Sequence, residues 1–412
     1  MAGLAALAIA YVLSQFYRTF LAVLTPALTA ELGASKADLS LASGAWFATF
    51  ALMQFAVGLS LDRFGPRRTA ALLLATGAGG GALLFAFASQ PWMIVAAMGL
   101  IGIGCAPVLM ASLFIFAKTY SAARFAVLTS WLVGFGSAGN VIGASPLAAA
   151  AEAFGWRPVM LVLALFTLAT ALAVGALVRD PPADEGEAAG APGLAGIAQL
   201  LRMRVLWPII PLTALHYAPS AGIRGLWAGP YLSDVYGAGG LAIGQVTLFM
   251  ALAMVAGSFL YGPLDTLLRT RKWIAVAGTT VSIVALGWLA AEPRAGFAPA
   301  TVLFVVIGMS GAGYGLLMAH ARAFLPPHLV GRGVTLMNFF SIGGVGVMQF
   351  ATGAVVTAAA VPGEPAAAYG TLFAFYTGML VVGLAVYLLA RDAPPERRAR
   401  PAVSAPGRRS TP

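Results

Sequence analysis

The sequence predicts an all-α membrane protein with twelve transmembrane helices in two six-helix, pseudo-symmetric bundles. Three observations carry that prediction. Of the 412 residues, 60% are hydrophobic and 9% are charged, against about 25% charged in a soluble domain, so the apolar surface has no route out of water except lipid. The apolar residues fall in runs long enough to cross a hydrocarbon core of about 30 Å, which takes about 20 residues per helix. The runs also form two sets of six with recurring landmarks.

The first set runs near 4–28, 39–61, 69–89, 92–117, 125–150 and 156–178. The second runs near 206–232, 241–263, 273–291, 298–321, 333–358 and 369–390. The expected organisation is an N-terminal bundle over 1–178, a flexible linker over 179–205, a C-terminal bundle over 206–391 and a disordered basic tail over 392–412. Pro181, Pro182, Asp184, Glu185 and Glu187 give the linker its composition. Forty-nine glycines suit helices that must approach closely in lipid, where packing drives association. The first run lacks a basic leader and reads as a retained helix. The single cysteine, Cys105, excludes a disulfide framework and reads as packing.

Lysine and arginine set the expected orientation, because short cytoplasmic loops retain positive charge. Of the 24 basic residues, Arg18 and Arg224 lie within spans, and Lys36, Arg157 and Arg294 fall on one side. The rest, including Arg63, Arg67, Arg68, Lys118, Arg124, Arg269, Arg271, Lys272, Arg322, Arg332 and the Arg397–Arg409 tail, fall on the other. Both termini are therefore expected in the cytoplasm, with a bacterial inner membrane as the location. Dispersal of the positive charge over separate loops argues against a nucleic-acid partner.

The halves resemble each other. Leu61-Asp62 with Arg67-Arg68 reappears as Leu264-Asp265 with Arg269 and Arg271, Pro26 recurs as Pro230, and Arg124 as Arg332. Parallel six-span repeats around a central pocket are a carrier architecture.

The loop Gly58-Leu59-Ser60-Leu61-Asp62-Arg63-Phe64-Gly65-Pro66-Arg67-Arg68 resembles the signature of the major facilitator superfamily, and Gly155-Trp156-Arg157 resembles another of its motifs. The resemblance implies a cytoplasmic conformational switch built from Gly58, Asp62, Arg63, Gly65, Arg67 and Arg68, with Asp265, Arg124 and Arg332 as counterparts. Physically, Asp62 can accept from helix N-termini or pair with arginine while Arg67 and Arg68 hold the headgroups; the alternative is simple topology anchoring. Trp156 and Arg157 read as interfacial anchors. Span five carries Asn140 where the family's proton-coupled drug exporters show a proline, which disfavours multidrug efflux. Tyr11–Arg18 and Gly225–Leu232 resemble an uptake group that includes copper and riboflavin importers, which would favour import.

Charge at bilayer depth costs about 2.5–3.5 kcal/mol on insertion scales and marks pathways or pairs. Arg18 and Arg224 are the two such residues, in corresponding parts of spans one and seven, which line the cavity in the resembling family. A guanidinium fork suits carboxylate or phosphate, and no acidic residue lies deep in a span to neutralise it. The candidate substrate contacts are Arg18, Arg224, Tyr17, Gln15, Trp227, Asn140 and Asn338; the bland reading is arginines held by backbone carbonyls and polar neighbours. His216 and His320 are candidates for proton coupling or for structural hydrogen bonds. Met250 and Met254, one turn apart, could ligate Cu(I), or simply pack. Trp46, Tyr17, Tyr217, Trp227, Tyr314 and Asn338 could line a flavin pocket.

The function expected is a monomeric secondary or facilitative carrier of a small organic solute, anionic or flavin-like, in the uptake direction. Copper import, multidrug efflux and a transport-dead sensor are the alternatives. No cofactor or obligate protein partner is expected. The sequence holds no phosphate-binding Gly-x-x-x-x-Gly-Lys loop and no constellation for hydrolysis, so an enzyme is not expected.

Overall fold

The computed structural model describes residues 2–181, 194–326 and 329–393, and among these every regular element is helical. In the first half, α1 (Ala2–Phe16) and α2 (Leu21–Leu32) form a bent pair, followed by α3 (Lys36–Phe64). The third span runs through α4 (Pro66–Leu73), a π-helical segment and α5 (Gly80–Ala86). Then come α6 (Pro91–Thr119), a second bent pair of α7 (Ala122–Ile142) and α8 (Ser145–Phe154), and α9 (Trp156–Leu177). The second half holds α11 (Ile209–His216), α12 (Ala218–Gly222), a π-helical segment Ile223–Trp227 and α13 (Ala228–Tyr236). It continues with α14 (Gly240–Leu268), α15 (Lys272–Ala291), α16 (Phe297–Gly311), α17 (Tyr314–Arg322), α18 (Val330–Ala358) and α19 (Pro365–Tyr387).

Among the described residues, nine helical stretches are long and apolar enough to span a membrane, and the two bent pairs raise the number to eleven. The remaining predicted span, near 206–232, is the run of short pieces from α11 to α13. Pro211, Pro219 and Pro230 interrupt it, each removing a ladder donor. The chain is thus an integral, multi-pass membrane protein. Its outer faces fit that reading: Val162, Leu165, Phe166 and Leu172 of α9 are exposed, as lipid-facing residues are.

The repeat read from the sequence is present in the backbone. Helices α3 and α14 each have 29 residues and start 204 positions apart, at Lys36 and Gly240. The preceding spans both close on a left-handed glycine, Gly33 at φ 65° and Gly237 at φ 66°, where a side chain would strain the backbone. At the end of α3 Gly65 has φ 81°, but its counterpart 204 positions later is Arg269, at φ 55°. An L-residue there costs about 1–2 kcal/mol, part of which glycine's backbone entropy takes back. Arg269→Gly should therefore raise stability by about 0.5–1 kcal/mol, whereas Arg269→Ala should not, as thermal unfolding of both variants would show.

Part of the linker is helical. An amphipathic helix, α10 (Leu194–Arg202), lies within 179–205. Leu200 and Leu206 are buried in a cluster with Ile209, Ile274 and Leu317, and the Trp207 indole N–H donates to the Leu201 carbonyl at 2.8 Å. Positions 182–193, including Glu185 and Glu187, and the tail from 394 onward lie outside the described residues.

Each bundle is also tied at one end by an aspartate after its last span. Asp180 accepts from the Arg67 N–H at 2.8 Å, at the start of α4. Asp392 accepts from the Lys272 and Arg271 N–H groups at 3.0 and 3.1 Å and from the Thr270 hydroxyl, at the start of α15. Partial burial pushes the Asp392 carboxyl up, but the Thr270 hydroxyl and the Lys272, Arg271 and Ala393 amides outweigh it and hold the carboxyl below its ordinary value. A carboxyl depressed by folding stabilises fully above its unfolded pKa of about 3.9, and that stability is lost as pH falls through the folded value. Asp392→Asn should therefore lower the melting temperature at pH 7, and the gap from the natural protein should close below about pH 4.

Candidate substrate site

Arg18 and Arg224 sit where their helices are broken. In span one, Pro26 cannot donate to the Ala22 carbonyl, which instead accepts from the Thr25 hydroxyl at 2.8 Å. The chain bends by 54° between α1 and α2, and Arg18 lies in that bend. In span seven, Arg224 lies in the π-helical segment between Pro219 and Pro230. The two irregular segments meet: a side chain at Gly225 would press on the Arg18 carbonyl, 3.2 Å from its Cβ. Irregular backbone at membrane depth is tolerated where protein or a cavity surrounds it.

The two guanidiniums converge. They are close enough to interact with each other, and the Tyr217 hydroxyl lies near both. Arg18 is half-buried and lies 5.3 Å from the Trp46 ring centroid and 5.4 Å from that of Phe50, rings stacked 5.0 Å apart. Arg224 is 2% exposed and donates through Nη1 to the Asn140 side-chain oxygen at 2.9 Å, bridging from the second half to the first. The Tyr217 and Tyr314 rings sit 5.0 Å apart, and the Gln15 amide donates to the Tyr11 hydroxyl at 3.1 Å. No aspartate or glutamate is among the buried side chains of the described residues.

Other predicted contacts go elsewhere. Tyr17 is fully buried and bonds to the Thr167 hydroxyl at 2.8 Å, so it faces span six. Trp227 is fully buried and donates to Gln349 and Thr352 at 3.1 and 3.0 Å. Asn338 is half-buried. Met250 is enclosed where α14 meets Gly308 of α16, and Met254 packs one turn on against the same core. His216 bonds to Thr279 and the Ser310 carbonyl, and His320 to Tyr387 and the Arg391 carbonyl; each ring nitrogen has a partner, as in the structural alternative. Trp156, at the start of α9, is buried against Phe85 with Arg157 4.2 Å over its ring.

Sequence reasoning passed over Tyr11 and gave Tyr217 only a general lining role. The signal was available: each tyrosine stands seven residues before its arginine, which puts both on one helical face.

The halves are joined on the Lys36 side of the site. Lys36 pairs with Asp234 at 2.7 Å, and the Tyr369 hydroxyl donates to the same carboxylate at 2.6 Å. Below them the Ser40 hydroxyl donates to the Gln349 carbonyl, and the Gln349 amide donates to Ser43 at 2.8 Å. The helices α3 and α18 stay together as far as Phe55 and Phe339, whose rings are 5.0 Å apart.

Toward the opposite end the switch residues are disengaged. Asp62 is exposed and has no hydrogen-bond or ion-pair partner among the described residues. The role predicted for it at a helix N-terminus is filled by Asp180, because Asp62 lies in the last turn of α3 and points to solvent. A side chain at Gly65 would crowd that Asp180 carboxylate, whereas Gly58 has open space beside it. Arg63 stacks on Phe64, Arg68, Arg124 and Arg332 are exposed and Arg67 is half-buried. Asp265 pairs with Arg271 at 3.2 Å within its own half.

The family model described as Major Facilitator Superfamily matches residues 7–344. Among solved structures, a bacterial homologue of the human lysosomal transporter Spinster, inward-facing and unoccupied, superposes with a TM-score of 0.76 at 18% identity, over 94% of this chain and 96% of that one. The nucleoside transporter NupG gives 0.74 at 13% identity, over 94% and 98%. A D-xylose–proton symporter gives 0.70 at 14%, over 94% and 97%. At these identities the likeness is one of fold. No curated protein matches the chain in sequence.

Proposed function

The chain belongs to the Major Facilitator Superfamily, and we propose from that premise that it is a secondary carrier moving a small organic anion across a membrane by alternating access. The observation that carries this reading is the meeting of the Arg18 and Arg224 segments with no buried carboxylate among the described residues. Holding an ion out of water costs several kcal/mol, and only partners recover it. Rings, an amide and a phenol do so in part; a bound carboxylate or phosphate would do so more fully, through charge-assisted forks.

The alternating-access reading draws on the contrast between the two ends. The Lys36 end is closed by contacts between the halves, while among the described residues no hydrogen bond or ion pair joins the Asp62 loop to the other half, as expected of a carrier open toward that loop. If the basic loops face the cytoplasm, this is the inward-open form. Asp62, Arg63, Arg67 and Arg68 would then engage the other half when that end closes.

Copper transport draws no support from Met250 and Met254, which pack in the hydrophobic core, or from two cations that would repel a metal ion. Flavin stacking would rest on Tyr217 and Tyr314, since Tyr17 and Trp227 are committed elsewhere. The test is thermal stabilisation of the purified protein by small carboxylates, organophosphates, riboflavin, flavin mononucleotide and Cu(I). Stabilisation by anionic members is expected; stabilisation by Cu(I) alone would sink the proposal.

A further inference from the structure

We infer that the outer flank of the second half holds an anionic phospholipid, with one acyl chain in a crevice between α14 and α15 and its phosphate on Arg269.

The crevice is the first observation. It has a volume of about 340 Å³ and is lined by Leu260, Leu264 and Leu268 of α14 and by Trp273, Ala277 and Val281 of α15. Leu260 and Leu268 are about two turns apart, so the crevice runs about 12 Å along the helices from the loop that joins them. Leu260, Leu268, Trp273 and Val281 are exposed, which puts it on the lipid-facing surface rather than inside the bundle. In a bilayer hydrocarbon fills such a groove, because a void forfeits the dispersion contacts of its walls.

The second observation is the charge at its mouth. Arg269 stands between Leu268 and Thr270, which both line the crevice, in the loop from α14 to α15. It is exposed and has no hydrogen-bond or ion-pair partner among the described residues. Its neighbours are committed: Arg271 pairs with Asp265 at 3.2 Å, and the Lys272 ammonium donates to the Leu388 carbonyl at 2.7 Å. One cation is therefore left over where the groove meets the headgroup level, and a lipid phosphate is its complement. The exposed Trp273 ring suits the same interface. Farther in, the Tyr261 hydroxyl packs against Gly278 with no partner among the described residues, a donor available to an ester oxygen.

The third observation is backbone strain. Among the described residues Arg269 is the one non-glycine with a positive φ, 55°, at the position where the first half has Gly65. A strained arginine kept where glycine would be more stable points to a use for its side chain. The first half has no cation at that position, so the site belongs to the second half alone.

The experiment is native mass spectrometry of the purified full-length protein with dioleoyl phosphatidylglycerol and dioleoyl phosphatidylcholine, which share acyl chains and differ in net charge. At the most tightly held lipid position, the parent should prefer phosphatidylglycerol by about fivefold or more. Arg269→Gly and Arg269→Gln should each bring that preference close to one. The glycine variant is expected to be the more stable protein without lipid, so its loss of preference does not reflect unfolding. Ala277→Phe, which fills the crevice from its exposed side, should lower retention of both lipids. Glycerol 3-phosphate should leave the melting temperature unchanged at concentrations where phosphatidylglycerol raises it. Equal retention of the two lipids by the parent, or a preference untouched by the Arg269 variants, would overturn the inference. So would retention untouched by Ala277→Phe, or stabilisation by glycerol 3-phosphate alone. A dimer that Ala277→Phe dissociates, with lipid retention unchanged, would overturn it too and assign this flank to a second copy of the chain.

Discussion

In proteoliposomes, Arg18→Ala or Arg224→Ala should reduce uptake of the stabilising anion, at concentrations below saturation, by about 30-fold or more. Truncating one side of a desolvated, hydrogen-bonded charge pair costs about 2–5 kcal/mol, which corresponds to roughly 30- to several-thousand-fold in affinity. The two losses should differ in kind. Arg18 rests on the faces of Trp46 and Phe50 and makes no side-chain hydrogen bond to the other half among the described residues, so its removal should leave the fold intact and act on affinity alone. Arg224 also holds the Asn140 oxygen from across the site, so its loss should lower the melting temperature as well. Arg224→Lys restores the charge without the planar fork and should recover only part of the affinity. Uptake unchanged by both alanine variants would place the arginines in the scaffold and remove them from the pathway.

The second large effect is expected at a residue with no chemistry of its own. Gly353 of α18 meets the Ser40 side chain of α3, on the opposite half, so closely that even a Cβ would collide with it. Gly353→Trp would put a large ring into a joint that also holds the Ser40–Gln349 and Ser43–Gln349 bonds. A packed interface takes up such a ring by parting, because overpacking costs about 1–3 kcal/mol or more. The variant should fold but be held with the Lys36 end open, and transport should fall to background. A cysteine placed at Ala37, which lines the crevice beside this joint, should react faster with a membrane-impermeant maleimide in the variant than in the parent. Cys105 is buried and contributes no background. Retained transport with unchanged labelling would mean that this end does not open.

Much of this architecture was legible before any coordinates. Apolar runs of membrane length, the basic loops and the Asp62 and Asp265 copies all follow from local composition and spacing, and lipid leaves the backbone almost no option but helix. Arg18 and Arg224 were legible for the same reason: charge within an apolar run stands out by its cost. The linker helix α10 was not, because a stretch rich in proline, glycine and acid reads as flexible until Leu200 and Leu206 find a hydrophobic cluster from distant spans. Nor was the break in span seven into pieces, which lets Arg224 lie at a π-helical turn.

Side-chain direction is where the two levels part. Tyr17 and Arg18 are neighbours in sequence, yet one bonds to Thr167 of span six and the other reaches Tyr217 of span seven. Trp227, three residues from Arg224, serves the joint between the halves through Gln349. Asp62 carries the signature motif, but Asp180, 118 positions later, caps the helix beside it. Alone, the sequence determined that the chain enters a membrane, that it is built twice over and that two buried cations need an explanation, because those properties depend on transfer free energies summed along the chain. The tertiary structure alone decided which polar groups face one another and which end is closed, because hydrogen bonds are settled over a few ångströms between residues a hundred or more positions apart.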